Sequence, residues 1–278
     1  GANVTIDAFA WIGKDVVIGD GTWIGPNATI MDGARIGKNC KIFPGAVISA
    51  IPQDLKFRGE ITTAEVGDNT TIRECVTINR GTAAKEKTVV GSNCLLMAYV
   101  HVAHDAIVGN NVILGNGVQL AGEVEIDDFA ILSAHTLVHQ FVRIGGHVMI
   151  SGGSLVRKDV PPFVKAGHDP LAYVGINSIG LRRRQFNPEE IHQIQDIFRL
   201  LYQSGYIVSK AVEAIEKEIP QSEFRDYIVN FVKNSKRGII KGYTGKAKSE
   251  DLDFYLLNHT YLGAFFKLLL NSIYSRGI

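Results

Sequence analysis

Few residues in this chain could cross-link it, charge it strongly to one sign or carry it through a membrane. There are three cysteines, Cys40, Cys75 and Cys94, with no pairing pattern among them. That suits a reducing compartment, and a cytoplasmic protein is expected. The formal net charge is +1, so there is no basic footprint and no nucleic acid partner is expected. The longest apolar stretch, Tyr261–Tyr274, is too short to span a bilayer and is interrupted by Lys267, which excludes a transmembrane segment there. No signal peptide is visible, although the chain opens at Gly1 in mid-repeat and without Met. The first 160 or so residues also lack the 3.6 period of a helix and the alternation of an ordinary strand.

What is present instead is a period of six. An aliphatic residue stands at every sixth position from Ile6 to Ile48 and again from Val90 to Val156. Four residues after each lead sits a small or β-branched partner, such as Ala28, Cys40, Cys94, Ala106 or Val118. Gly or Asp often follows the lead, as in Val108-Gly109 and Ile126-Asp127, where a tight corner needs it. This hexad repeat predicts a mainly β chain, a parallel β-helix of triangular section. Cys40 and Cys94 fall at inward places and Cys75 at a corner.

Three hexads close one coil, so residues eighteen apart lie one above another, at a coil spacing of roughly 4.8 Å. His104, Gly122 and Gln140 have that spacing. They stack a titratable base, a residue whose backbone N–H no side chain shields, and an amide on one corner. Asp105 stands beside the base. The column predicts acid–base chemistry with an oxyanion site. Away from the column, His104 would read as a structural histidine.

The register breaks at 49–65 and again at 81–89. Inserts in such a cylinder leave from corners and gather on the binding face. The first carries Gln53, Asp54 and Lys56 and is either a site loop or a solvated loop that tolerates length. The run Arg182-Arg183-Arg184 reads evenly as a solvated face or as a phosphate or carboxylate contact. After a transition over 163–186 the pattern turns helical. Asn187 is a cap ahead of Pro188, Glu189 and Glu190, in a helix to about Ser204. Further helices are predicted over Ser209–Glu218 and from Ser222 to about Ser235. A linker over 241–250 and a final amphipathic helix over 251–275 follow. Two domains are expected: the β-helix over 1–186 and a C-terminal helical domain over 187–278. Outward aliphatics on flat faces need covering, which predicts a homotrimer with sites between cylinders.

The strings Gln53-Asp-Leu-Lys56, Asn79-Arg-Gly-Thr82, His101-Val-Ala-His104-Asp105, Leu120-Ala-Gly122, Val138-His-Gln-Phe141 and Gly180-Leu-Arg-Arg-Arg184 occur in an order and spacing that resembles the UDP-N-acetylglucosamine acyltransferases, which open lipid A synthesis. The resemblance covers about residues 1–240. It implies that the β-helix coils left-handed. It implies transfer of a 3-hydroxyacyl chain from acyl carrier protein to the glucosamine 3-hydroxyl of UDP-N-acetylglucosamine, with no cofactor, metal or covalent intermediate. The donor is then the phosphopantetheine thioester of the carrier protein. His104 becomes the general base, Asp105 its orienting carboxylate and Gly122 the oxyanion donor. His101, His139 and Gln140 line the sugar and acyl cleft, and Asp54 and Lys56 match residues that hold the sugar, with Gln53 beside them. Asn177, Arg183 and Arg184 match positions near the nucleotide phosphates, and Gly152 a position that limits acyl length. Glu123, Ile179 and Asn79 depart from the family pattern. Rival readings are the N-acyltransferase later in that pathway, an acetyl-CoA-dependent sugar acetyltransferase, a trimeric zinc carbonic anhydrase using His101 and His104, and a binding scaffold.

Overall fold

In the computed structural model residues 1–243 are described, and residues 1–242 form one compact unit. The linker beyond Tyr243 and the final amphipathic helix expected over 251–275 lie outside the described residues. The chain is a left-handed parallel β-helix followed by short helices. Two-residue strands succeed one another on three sheets in strict rotation, beginning with Thr5–Ile6 on the first, Trp11–Ile12 on the second and Val17–Ile18 on the third. On the second sheet Ile78, Val102, Leu120, Val138 and Val156 stack in register. From Ile24 onward the leads point inward and are almost wholly buried. Each such side chain is worth about 1.5–3 kcal/mol relative to exposure. A one-residue slip would turn the whole inward row outward, so the hexad pattern holds the register.

The corners explain the rest of the repeat. Three residues after most leads the backbone turns left-handed, as at Asn39 (φ 53°), Asn69 (φ 56°), Asn93 (φ 57°) and Asp105 (φ 60°). Asn and Asp tolerate that conformation better than most residues.

The excursions are shorter than the hexad signature implies. The strand Val47–Ala50 runs past its hexad and the chain re-enters at Thr63–Val66; the second gap lies between Thr77–Asn79 and Lys87–Val90. The four residues Thr63–Val66 pair in full register with Lys87–Val90. Ladder hydrogen bonds are made by the main chain, so strand can continue where the hexad side chains have lapsed. Both excursions, 51–62 and 80–86, leave from the corner between the second and third sheets.

The transition after the last coil is more ordered than its sequence indicates. Val164–Gly167 and Ala172–Ile176 form an antiparallel pair, and a short helix α1, Ser178–Arg183, follows. Then come α2 (Pro188–Gln203), α3 (Val208–Glu218) and α4 (Glu223–Lys233). Asn187 and Glu190 cap α2 reciprocally, Asn187 Oδ1 accepting from Glu190 N at 2.9 Å and Glu190 Oε2 from Asn187 N at 2.8 Å. Ser222 caps α4 by accepting from Arg225 N. Ile191, Ile194, Ile197, Phe198 and Leu201 bury one face of α2. Helix α4 packs on the last coils: the Tyr227 hydroxyl donates to Asp127 Oδ2 and accepts from Gly146 N, and Arg143 stacks on the Phe231 ring.

Candidate active site

His104 stands at the corner between the second and third sheets, directly after the strand His101–Val102. Its Nδ1 lies 2.8 Å from Asp105 Oδ2. Because ionised carboxylates only accept, that contact assigns the proton to Nδ1 and leaves Nε2 as the free basic nitrogen. Asp105 is wholly buried. Burial by itself would raise its carboxyl, but hydrogen bonds from Thr82 and the His104 pairing outweigh this and hold it below the ordinary carboxylate value. The carboxylate therefore stays ionised and keeps the imidazole in one tautomer.

Gly122 sits one coil above. A methyl group built on its Cα would lie 2.6 Å from both Cε1 and Nε2 of His104 and 3.3 Å from Gln140 Nε2. Only a residue without Cβ fits between the imidazole and the next amide. At the same place in the third-sheet corners, the corner N–H is capped from the next coil: Lys38 N by Asp68 Oδ1 at 2.7 Å, Ser92 N by Asn110 Oδ1 at 2.9 Å, and Asn110 N by Asp128 Oδ1 at 2.7 Å. Among the described residues no acceptor meets the Gly122 N–H. That donor is left for another acceptor, beside a basic imidazole nitrogen.

His101 lies on the second sheet next to this corner, its Nδ1 2.7 Å from the Thr77 hydroxyl. Burial, then the neighbouring His104, pushes its pKa below the ordinary histidine value, so it is neutral at pH 7. His139 is exposed at the same corner, with Nδ1 3.0 Å from the Gln140 carbonyl. Gln53, Asp54 and Lys56 lie on the excursion that leaves this corner two coils below His104. Asp54 Oδ1 accepts from Lys56 N, which shapes the loop locally and leaves the Gln53 and Lys56 side chains exposed.

The remaining candidates occupy the other two corners. Gly152 follows a first-sheet strand, and a Cβ there would lie 3.1 Å from the Ala134 carbonyl. Asn177 and Arg184 sit at the corner between the third and first sheets. Asn177 is buried and caps α1, accepting from Gly180 N and donating to the His147 carbonyl. Arg184 donates to the Phe129 carbonyl at 3.0 Å and stacks on the Phe129 ring. Arg183, one residue back, is exposed. One chain thus gathers His104, Asp105, Gly122, Gln140, His101 and His139 with the first excursion, and holds Gly152 and the Asn177–Arg184 group apart.

Comparison with known proteins decides the family. A profile described as "Udp N-acetylglucosamine O-acyltransferase; Domain 2" matches residues 159–240, and one described as "Bacterial transferase hexapeptide (six repeats)" matches 15–50 and 87–122. The acyl-[acyl-carrier-protein]--UDP-N-acetylglucosamine O-acyltransferase of Aliarcobacter butzleri is 46% identical over 196 residues, covering 69% of this chain and 74% of that protein. Its namesake from Nautilia profundicola is 44% identical over 197 residues, with 69% and 74% covered. The UDP-N-acetylglucosamine acyltransferase structure from Bacteroides fragilis superposes with a TM-score of 0.77 at 53% identity, covering 87% of this chain and 99% of that one. The one from Campylobacter jejuni gives 0.82 at 36% identity, with 87% and 94% covered. The chain belongs to the UDP-N-acetylglucosamine O-acyltransferase family.

As an acyltransferase of this family it has further residues at the site that sequence reasoning did not assign. Thr82 and Lys85 donate to the Asp105 carboxylate, and Thr88 accepts from Asp105 N. Thr77 faces His101. The quoted string Asn79–Thr82 marked the region, but nothing in a threonine's spacing reveals which carboxylate it meets. Asn79, one of the departures from the UDP-N-acetylglucosamine acyltransferase pattern, is buried and donates to the Ile51 carbonyl at the root of the first excursion.

Proposed function

We propose that this chain transfers a 3-hydroxyacyl group from acyl carrier protein to the glucosamine 3-hydroxyl of UDP-N-acetylglucosamine, the first step of lipid A synthesis. His104 Nε2 takes the hydroxyl proton as the sugar oxygen attacks the thioester carbonyl. The resulting oxyanion accepts from the Gly122 N–H. Its collapse expels the phosphopantetheine thiolate, which receives the proton back from His104. Base and oxyanion donor together supply the differential binding of the transition state that such a reaction needs. Neutral His101, with His139, Gln140, Gln53, Asp54 and Lys56, borders the same corner and is offered to the sugar and donor.

The observation that carries this reading is the contact between the His104 imidazole and the place where a Gly122 side chain would be. Asn177, Arg183 and Arg184 serve the nucleotide phosphates, and Gly152 bounds the acyl chain. Because these stand at other corners of the same chain, the complete site needs neighbouring copies, and the working form is a homotrimer in the cytoplasm. No cofactor takes part.

Incubation of the purified protein with UDP-N-acetylglucosamine and a panel of 3-hydroxyacyl carrier proteins tests the reaction. A mass gain of one hydroxyacyl group on the sugar nucleotide is expected, unchanged by EDTA. Product formation at full rate by His104→Ala, or loss of turnover to the chelator, would remove the mechanism.

A further inference from the structure

The corner place that Asp105 occupies is normally a wet one. Its counterparts Asn39, Asn69 and Asn93 share its left-handed backbone and are exposed, whereas Asp105 shows no exposed surface. The difference is the second excursion, 80–86, which folds back over this corner. Thr82 arrives with two donors. Its N–H lies 2.9 Å from Asp105 Oδ1 and its hydroxyl 2.6 Å from Oδ2, the same oxygen that faces His104 Nδ1. Lys85 N adds a third donor at 3.2 Å to Oδ1. Ala84 N donates to the Thr82 hydroxyl at 3.2 Å, which occupies an oxygen lone pair and directs the hydroxyl proton to the carboxylate.

The excursion is itself fastened. Thr62 Oγ1 donates to the Gly81 carbonyl at 2.6 Å, and Lys85 Nζ reaches Glu125 at 2.8 Å. A Cβ on Gly81 would lie 2.3 Å from Lys87 N, so the chain can turn there only as glycine. Thr82 is thereby presented to Asp105 by a closed loop.

We infer that Thr82 is a positioning residue for the acyl transfer: its hydroxyl and N–H fix the Asp105 carboxylate so that His104 presents Nε2 beneath Gly122. The inference rests on the reading of His104 as general base. A buried carboxylate stripped of donors is costly and would protonate or turn. Either change frees the imidazole to rotate or to adopt the wrong tautomer. Burial pushes the Asp105 carboxyl up and the Thr82 hydrogen bond brings it down, in keeping with this role.

The test compares Thr82→Val, which keeps the shape and loses the hydroxyl, with Thr82→Ser, which keeps it, in the full-length protein. Loss of a hydrogen bond to a charged group predicts a fall in kcat of about tenfold or more for Thr82→Val, with KM within about twofold. Thr82→Ser should retain most of the rate. In an Asp105→Asn background Thr82→Val should add little, because the pair acts as a unit. Wild-type kcat in Thr82→Val, while His104→Ala is inactive, would overturn the positioning role and leave the base intact. Full turnover by His104→Ala would instead remove the base reading. A Thr82→Ser rate as low as that of Thr82→Val would also count against the hydroxyl. Should Thr82→Val fail to fold, Thr82→Ala is read against Thr82→Ser in the same way.

Discussion

The imidazole of His104 occupies the space that a side chain on residue 122 would need: a Cβ on Gly122 falls 2.6 Å from Cε1 and Nε2. Real Cβ contacts are essentially never that close, so the two positions are linked sterically. Gly122→Ala should fold, since the Gly122 backbone is not left-handed, but the methyl must push the ring or Gln140 aside. A displacement on the order of 1 Å at a reacting group can cost roughly 100-fold. Steady-state kinetics of Gly122→Ala should show a loss of kcat of about that size with an unchanged melting temperature.

His104→Ala removes the proposed base, and positioned general bases contribute about 100- to 10,000-fold. Asp105→Asn keeps the shape but can donate to Nδ1 and so stabilise the wrong tautomer. It should fall between wild type and His104→Ala in kcat, with little change in KM. Equal activity of Asp105→Asn and wild type would show that Asp105 serves only the fold.

Tyr227 joins α4 to two different coils, donating to Asp127 and accepting from Gly146 N. Burial raises both the Tyr227 hydroxyl and the Asp127 carboxyl from their ordinary values, so neither is easily left without its partner. Tyr227→Phe strands the Asp127 carboxyl and the Gly146 N–H, at a cost of about 1–3 kcal/mol. Thermal unfolding should drop by several degrees while kcat at moderate temperature stays near wild type, because none of these atoms lies at the His104 corner.

His147 stacks between Phe129 and Phe163, with ring centroids 4.9 and 5.4 Å away. Burial, and then the Arg184 guanidinium, pushes its pKa down to about 4 from the ordinary 6.5. Between those values the unfolded imidazole binds a proton and the folded one does not. Stability is therefore intact above pH 6.5 and falls as the pH drops toward about 4. His147→Phe keeps the aromatic stack and removes the titration. Its melting temperature should decline less on acidification through that window than that of the wild type, and identical slopes would sink the assignment.

The hexad leads were legible as a cylinder because one period recurs from Ile6 onward and every inward side chain obeys it. The alignment of His104 with Gly122 and Gln140 followed from the same arithmetic, with three hexads to a coil. The antiparallel pair Val164–Gly167 with Ala172–Ile176 and the short α1 were not legible, since their stability comes from packing on the last coils and from caps such as Asn177. The family resemblance matched Asn177 and Arg184 to positions near nucleotide phosphates, yet in one chain their polar atoms bond the main chain at His147 and Phe129. Only coordinates reveal those main-chain bonds.

By itself the sequence determined the cylinder, its inward core and the column of His104, Gly122 and Gln140, because local period and strand spacing dictate what stacks upon what. Tertiary structure alone decided that Thr82 covers Asp105, and that Gly152 and the Asn177–Arg184 group stand at other corners than His104. The physical reason is that these relations pass through excursions and a terminal hairpin whose paths are set by closure, capping and burial. No local period records them.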